Sequence, residues 1–347
     1  MISVRAALLL LIALLLTACS KEPLYLEEGF VFGTRVEVSV YGEDETHARQ
    51  AVATIMQEFQ RLHELLHAWK PSALSRLNTA FASGKAVAIA PELETMLRDA
   101  AQLSEQSGGL FNPAIGGLVK LWGFHADEYK SALPDAKQLA ALVAAQPQMR
   151  QISFLSNFDS KTASSNRAVQ LDLGGYAKGY ALDRAALLLK QQGIHNALIN
   201  IGGNVLALGT HGSRAWRVGI QHPRKPGPLA TLELRDGEAI GTSGDYQRYF
   251  ELGGRRYCHL IDPRSGQPVQ GVQAVTVLTR GARAGVLSDA ASKPLFIAGT
   301  DAWLAIAQKM QLREALLIDA AGTVHLTAAM QKRLEFTDKS MVVNLAQ

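Results

Sequence analysis

The sequence predicts a mixed fold of the α/β (α+β) class: a single large domain with a βαβ unit followed by an antiparallel meander. Three observations predict it. Apolar residues recur at helical spacing in several segments, two strand-like runs flank a glycine turn and a helix, and four short β-type runs follow one another after residue 215. In chain order, VEVSVYG at 36–42 alternates like a strand. Val52, Ile55, Phe59, Leu62 and Leu66 then draw one apolar stripe along a helix from about Thr46 to Trp69, which Pro71 ends. A second helix is expected from Pro91 to Ser107, stopped by Gly108 and Gly109. Residues 110–123 are punctuated by glycine, and 134–145 carry a short helical pattern. The strand AVQLDL (168–173), a helix marked by Leu182, Ala185, Ala186 and Leu189 and ended at Gly193, and the strand NALINIGG then compose the βαβ unit. WRVGI, ATLEL, AIGTS and VQAVTVL make the meander.

The N-terminus is a targeting segment. Arg5 precedes an apolar run, Ala6 to Leu16, too short to span a bilayer, and Leu16-Thr17-Ala18-Cys19 has the form of a bacterial lipoprotein signal. Residues 1–18 are therefore expected to be cleaved, Cys19 to be acylated, 19–28 to form a polar tether and 29–347 to form the domain. The expected location is the bacterial cell envelope, membrane-anchored through lipid and facing the periplasm, with several acyl chains giving stable attachment. Cys258 is the only other cysteine, so the mature domain has no pair to oxidise and depends on its core. With 48% apolar residues and a net charge of +4 spread along the chain, the composition supplies that core and gives no nucleic-acid signal.

The densest chemical signal is LDLGGYAKGYALD at 171–183, where two glycines follow the strand and Lys178 opens the helix. Backbone N–H groups in such a turn cradle phosphate, although the spacing fits neither the dinucleotide fingerprint nor the P-loop. NIGGNV (200–205), GTSGDYQR (241–248), HLIDPRSG (259–266) and SDAASKPLFIAG (288–299) add turn glycines, a histidine and the aspartates Asp262 and Asp289. Taken singly, each is ordinary turn or cap chemistry.

Together with FGT (32–34), PSALSRLN (71–78) and SGGLFNPAIGGLVKLWGF (107–124), this order of motifs resembles the ApbE family, the FAD:protein FMN transferases. The resemblance implies transfer of the FMN half of FAD to a threonine hydroxyl of an acceptor protein, with AMP released and Mg2+ assisting. It implies contacts to FAD from Phe32, Trp69, Leu110, Phe111, Asn112, Asp172, Lys178, Ile261 and Ser292. It implies a metal held by the Gly175 carbonyl and Asp289, and a catalytic base or orienting group at His259. The acceptors it implies are subunits of membrane redox complexes.

The chain departs from the family pattern at four places. Phe32 stands for a usual methionine, Trp69 for tyrosine, and Asn112 for aspartate. Lys293 occupies the position of a metal-ligating threonine, where a charged ammonium cannot coordinate. Two other readings compete. His63, Glu64 and His67 spell HELLH, the form of a zinc-protease helix, and the altered metal position also suits a flavin-binding lipoprotein that performs no transfer.

Overall fold

The computed structural model describes residues 24–126, 128–155, 161–338 and 340–346. Its strands are β1 (Leu24–Val31), β2 (Thr34–Tyr41), β3 (Val87–Ala88), β4 (Ile152–Leu155), β5 (Lys161–Ser164), β6 (Ala197–Ile201), β7 (Asn204–Leu208), β8 (Trp216–Gln221) and β9 (Pro228–Leu234). They continue as β10 (Glu238–Gly244), β11 (Tyr249–Leu252), β12 (Arg255–Cys258), β13 (Val272–Arg280), β14 (Glu314–Asp319), β15 (Val324–Thr327), β16 (Glu335–Phe336) and β17 (Val343–Ala346). The helices are α1 (Glu45–Leu65), α2 (Ala73–Ala82), α3 (Pro91–Gln106), α4 (Gly116–Leu121), α5 (Ala136–Ala145), α6 (Ala177–Gln191), α7 (Ala284–Lys309) and α8 (Ala328–Gln331).

One nine-stranded sheet, ordered β1-β2-β6-β7-β10-β13-β14-β15-β17, organises the molecule. Its pairings are antiparallel except β15 with β17. Toward the first edge, Val36, Val38 and Val40 of β2 turn one face inward against α1, α3 and α6. Farther along, β7, β10 and β13 are buried along nearly their whole length. Both of their faces are covered: α7 packs on one, and the β8-β9-β16 sheet closes the other through Trp216, Ile220 and Leu232. A strand buried on both faces has no reason to alternate.

The mixed α+β class agrees with this architecture, but four local expectations need correction. Residues 168–173 are not a strand of the sheet, so no βαβ unit forms. Their backbone pairs with the 113–116 loop (Gln170 N–H to Ala114 O, 3.1 Å; Asp172 N–H to Pro113 O, 2.8 Å) and with the amide of Asn78. β6 lies antiparallel between β2 and β7 instead. The meander is split, because β8 and β9 leave the main sheet while β10 and β13 stay in it. Residues 24–28, expected in the tether, belong to β1, where Leu24 pairs with Tyr41; the rest of the expected tether, the expected signal and Cys19 lie outside the described residues.

Finally, α1 begins one residue before the expected start but stops at Leu65. Asp44 caps its N-terminus by accepting the His47 N–H (3.0 Å). Beyond its end, His67 Nδ1 accepts the N–H groups of Trp69 (3.1 Å) and Lys70 (3.0 Å), turning the chain into the Ser72 capping box of α2, a helix the apolar pattern did not announce. Inside the glycine-punctuated stretch 110–123 sits the short helix α4.

Candidate active site

The site is assembled where α6 and α7 cross. At Gly179 a β-carbon would overlap the Gly285 carbonyl oxygen and lie 2.8 Å from Asp289 Cβ; at Gly285 it would overlap the Gly179 carbonyl. Gly241 of β10 does the same for the other side of α7, where a β-carbon would overlap Ser288 O and lie 2.9 Å from Asp289 N. Three glycines thus let a helix press against a helix and a strand at backbone distance. Asp183, one turn beyond Gly179, exploits the approach by accepting the N–H groups of Gly285 (2.7 Å) and Val286 (2.9 Å). It caps α7, whose own N-cap residue makes no side-chain bond.

The same approach puts Asp289 in the interior, 0% exposed, with its Oδ2 accepting the Gly179 N–H at 2.9 Å. Its Oδ1 is bound by the Lys293 ammonium one turn along α7, and that ammonium also donates to the Asp289 carbonyl at 2.7 Å. Burial pushes the Asp289 carboxyl upward, but Lys178, Lys293 and the Gly179 N–H outweigh it and hold the group below its ordinary range. The stem of Lys293 passes over the glycine turn: a β-carbon on Gly175 would lie 3.0 Å from Lys293 Cε and 3.7 Å from the Phe111 ring. Lys293 and Phe111 thus both lie beside Gly175, and a side chain there would first have to shift the lysine.

His259 follows β12. Its backbone N–H donates to the Arg248 carbonyl at 3.0 Å, and its Nδ1 lies 3.2 Å from the same oxygen. A carbonyl only accepts, so Nδ1 carries the hydrogen and Nε2 keeps its lone pair. The ring is partly open to solvent yet crowded by protein on most sides, and it meets Phe124 edge to face at 6.4 Å. Burial first, then the positive charges of Arg248, Lys178 and Lys293, lower its pKa well below the usual histidine value, so the imidazole is neutral at pH 7. Arg248 is fixed by Tyr129 Oη (2.8 Å) and by the Phe124 carbonyl. Asp172 faces the cluster from the glycine turn, accepting the Gly174 N–H at 2.8 Å; burial raises its pKa against the pull of that N–H and of Arg248, His67 and Lys178.

Of the residues expected from the sequence, Asp172, Gly175, Lys178, Phe111, His259, Asp289 and Lys293 come together. Phe32 lies in the β1–β2 turn, edge to face with Phe59 and His63 of α1. Trp69 meets His125 at 5.5 Å and lines a cavity of about 450 Å3 beside the 168–170 segment. That cavity includes neither Asp289, Lys293 nor His259, so it adjoins the chemistry without containing it. Leu110, Asn112, Ile261 and Ser292 are buried beneath the site. Asn112 spends its amide on the Pro147 carbonyl (2.8 Å) and the Ala114 N–H (3.1 Å), and Ser292 bonds Ser243 Oγ at 2.7 Å, so both brace the walls. Arg248, Asp183 and the glycines 179, 241 and 285 were not singled out from sequence. Asp183 and Arg248 end motifs that were noticed, but no spacing rule links Asp183 to a helix a hundred residues away.

The divalent ion expected from the resemblance does not fit these residues as they stand. Both Asp289 oxygens have donors, one of them an ammonium, and among the described residues no three His, Cys, Asp or Glu side chains converge on a point. The HELLH reading also fails. α1 ends at Leu65, so His67 has left the helix, its Nδ1 is committed to two backbone N–H groups, and Glu64 accepts from Gln60 at 2.7 Å.

Fold and site thus gather a glycine turn, the cationic side chains of Lys178, Lys293 and Arg248, and a neutral histidine in one region. A model of the ApbE family matches residues 32–317, and the chain belongs to that family. A Rhodobacter capsulatus FAD:protein FMN transferase is 44% identical over 309 residues, 89% of this chain and 58% of that protein, so the chain spans little more than half its length. A Treponema pallidum protein of the same name is 32% identical, with 92% of this chain and 91% of that protein covered. The ApbE protein of Thermotoga maritima superposes with a TM-score of 0.81 at 27% identity, covering 90% of this chain and 99% of that one.

Proposed function

We propose that this chain is an FAD:protein FMN transferase that moves the FMN half of FAD onto a threonine hydroxyl of another protein and releases AMP. The observation that carries the reading is a neutral His259 whose Nδ1 is held by the Arg248 carbonyl, leaving Nε2 as the acceptor, close enough to Lys178, Lys293 and Arg248 for their charges to act on it. The reaction makes two demands. An alcohol must lose its proton as it attacks a phosphorus that already bears negative oxygens, and the departing AMP gains charge. His259 Nε2 meets the first by accepting the hydroxyl proton, and its Nδ1–H bond to Arg248 O fixes the ring while it does so. Lys178 and Lys293 meet the second by placing positive charge around the pyrophosphate. Phe111, packed over Gly175, and Trp69 supply apolar and aromatic surface for the ring systems of the dinucleotide.

The leader and Cys19 support a lipid-anchored enzyme on the periplasmic side of a membrane, within reach of redox-complex subunits that carry flavin there. The test is incubation with FAD and a threonine-bearing acceptor domain. An acceptor mass increased by one FMN unit, with an equal amount of AMP, is the expected result. Tight FAD binding with no AMP release would make the protein a flavin reservoir instead.

A further inference from the structure

We propose that Lys293 is the resident cation of this site, so that the chain binds the FAD pyrophosphate without a stably held divalent metal ion. The inference rests on FAD being the ligand but concerns a group that the family reading does not supply. Asp289 is wholly buried between α6, α7 and β10, and its two carboxylate oxygens are taken by the Gly179 N–H and the Lys293 ammonium. A lysine four residues on, on the same helix face, is held by carboxylate and carbonyl of one residue, so its head is fixed and not swinging in solvent. Its side chain is 14% exposed, and its Cδ and Cε lie next to the Gly175 turn, where phosphate oxygens would lie.

A divalent ion at Asp289 would have to displace that ammonium from a buried carboxylate or share the carboxylate with it at close range. Charge repulsion opposes sharing, and displacement would break both bonds that the ammonium makes to Asp289. Magnesium fills most of its shell with water and phosphate oxygens and is held to protein through one or two carboxylates, and the carboxylate on offer here, Asp289, is already bound by the ammonium. Lysine is a point charge that binds phosphate directly. In the transfer step the acceptor oxygen bonds to the FMN phosphorus, the bridging P–O bond to AMP breaks with its electron pair leaving on AMP, and the hydroxyl proton passes to His259. Lys293 stays protonated throughout and compensates charge.

The experiment titrates Mn2+ into the purified chain and into Lys293→Thr, reading free Mn2+ by electron paramagnetic resonance, and measures FAD affinity of both with chelator and with Mg2+. The unaltered chain is expected to hold no Mn2+ at micromolar concentration and to bind FAD within about twofold with or without Mg2+. Lys293→Thr is expected to bind Mn2+ at least tenfold more tightly and to lose FAD affinity in chelator. One Mn2+ per unaltered chain at micromolar concentration would overturn the proposal, and that result needs no variant to fold. FAD affinity in chelator unchanged by Lys293→Thr would overturn it too. If neither protein binds FAD, the substrate reading fails by itself, while the Mn2+ comparison still decides whether Lys293 has taken the metal's place.

Discussion

Replacing Gly179 with alanine sets two physical effects of opposite sign against each other. Gly179 lies inside α6, where alanine is the better helix former by about 1 kcal/mol, so local propensity predicts a more stable protein. Packing predicts the reverse. The new methyl would overlap the Gly285 carbonyl oxygen and lie 2.8 Å from Asp289 Cβ, and neither is the end of a flexible side chain. Overpacking of this kind costs about 1–3 kcal/mol. Parting the helices also stretches the 2.9 Å bond from the Gly179 N–H to Asp289 Oδ2, a hydrogen bond to a charged group in the interior and worth about 1.5–3 kcal/mol. The net expectation is a loss of about 2–4 kcal/mol, seen in urea as a lower midpoint with an unchanged slope. FAD affinity should fall with it, because Asp289 orients Lys293. A Gly179→Ala protein as stable as the original, or more so, would refute the close crossing of α6 and α7 as the device that builds the site.

Four further expectations concern His259 and the Arg333–Glu238 pair. His259→Gln keeps a donor for the Arg248 carbonyl but removes the base, so transfer should slow by about 10²–10⁴-fold while FAD binding changes little; an unchanged rate would return His259 to a structural role. Because burial, Arg248, Lys178 and Lys293 all disfavour the imidazolium, kcat/KM of the unaltered enzyme should stay flat as pH drops from 8 through 6 and fall only in more acid solution, whereas a limb near 6.5 would contradict the depressed value. The linkage has a definite sign: the unfolded chain protonates this ring near 6.5 and the folded one lower, so folding stability is lost as pH falls below 6.5, and His259→Gln should flatten that loss. Arg333 forks onto Glu238 at 2.9 and 2.7 Å, with side chains 12% and 4% exposed, so Arg333→Met strands a buried carboxylate and should cost about 3–5 kcal/mol in urea; a loss under about 1 kcal/mol would mean that Glu238 takes up its proton without penalty.

Helices were legible wherever a stripe met a stop signal. Val52, Ile55, Phe59 and Leu62 of the α1 stripe are all 0% exposed, and α3 and α6 end where Gly108 and Gly193 follow. The error at 168–173 has a physical origin. An alternating run shows that one face of an extended segment is buried, but it does not say which backbone answers its hydrogen bonds. Here the answer is a loop and the amide of Asn78, and a side chain standing in for a strand leaves no trace in periodicity. The split of the meander is hidden for a related reason. β8 and β9 are apolar because they cover β7 and β10, and a covering strand and a covered one can carry the same residues.

The candidate site divides along another line. Residues with their own chemistry, His259, Asp289 and Lys178, announced themselves by type and by the turns around them. Those that set their geometry did not: Gly179, Gly285 and Gly241 read as indifferent helix or strand glycines until two backbones are seen to meet there. Lys293 belongs to both groups. As a sequence feature it is a lysine where an oxygen ligand was expected, which by itself leaves open whether the side chain faces the pocket or turns from it. The glycines decide the matter. By drawing α7 against α6 and β10 they bury Asp289 completely, and a buried carboxylate needs a positive partner within reach, which position 293, one turn along the same helix face, supplies. The orientation of Lys293 is therefore a consequence of three missing β-carbons, two of them on α6 and β10, elements remote from it in sequence.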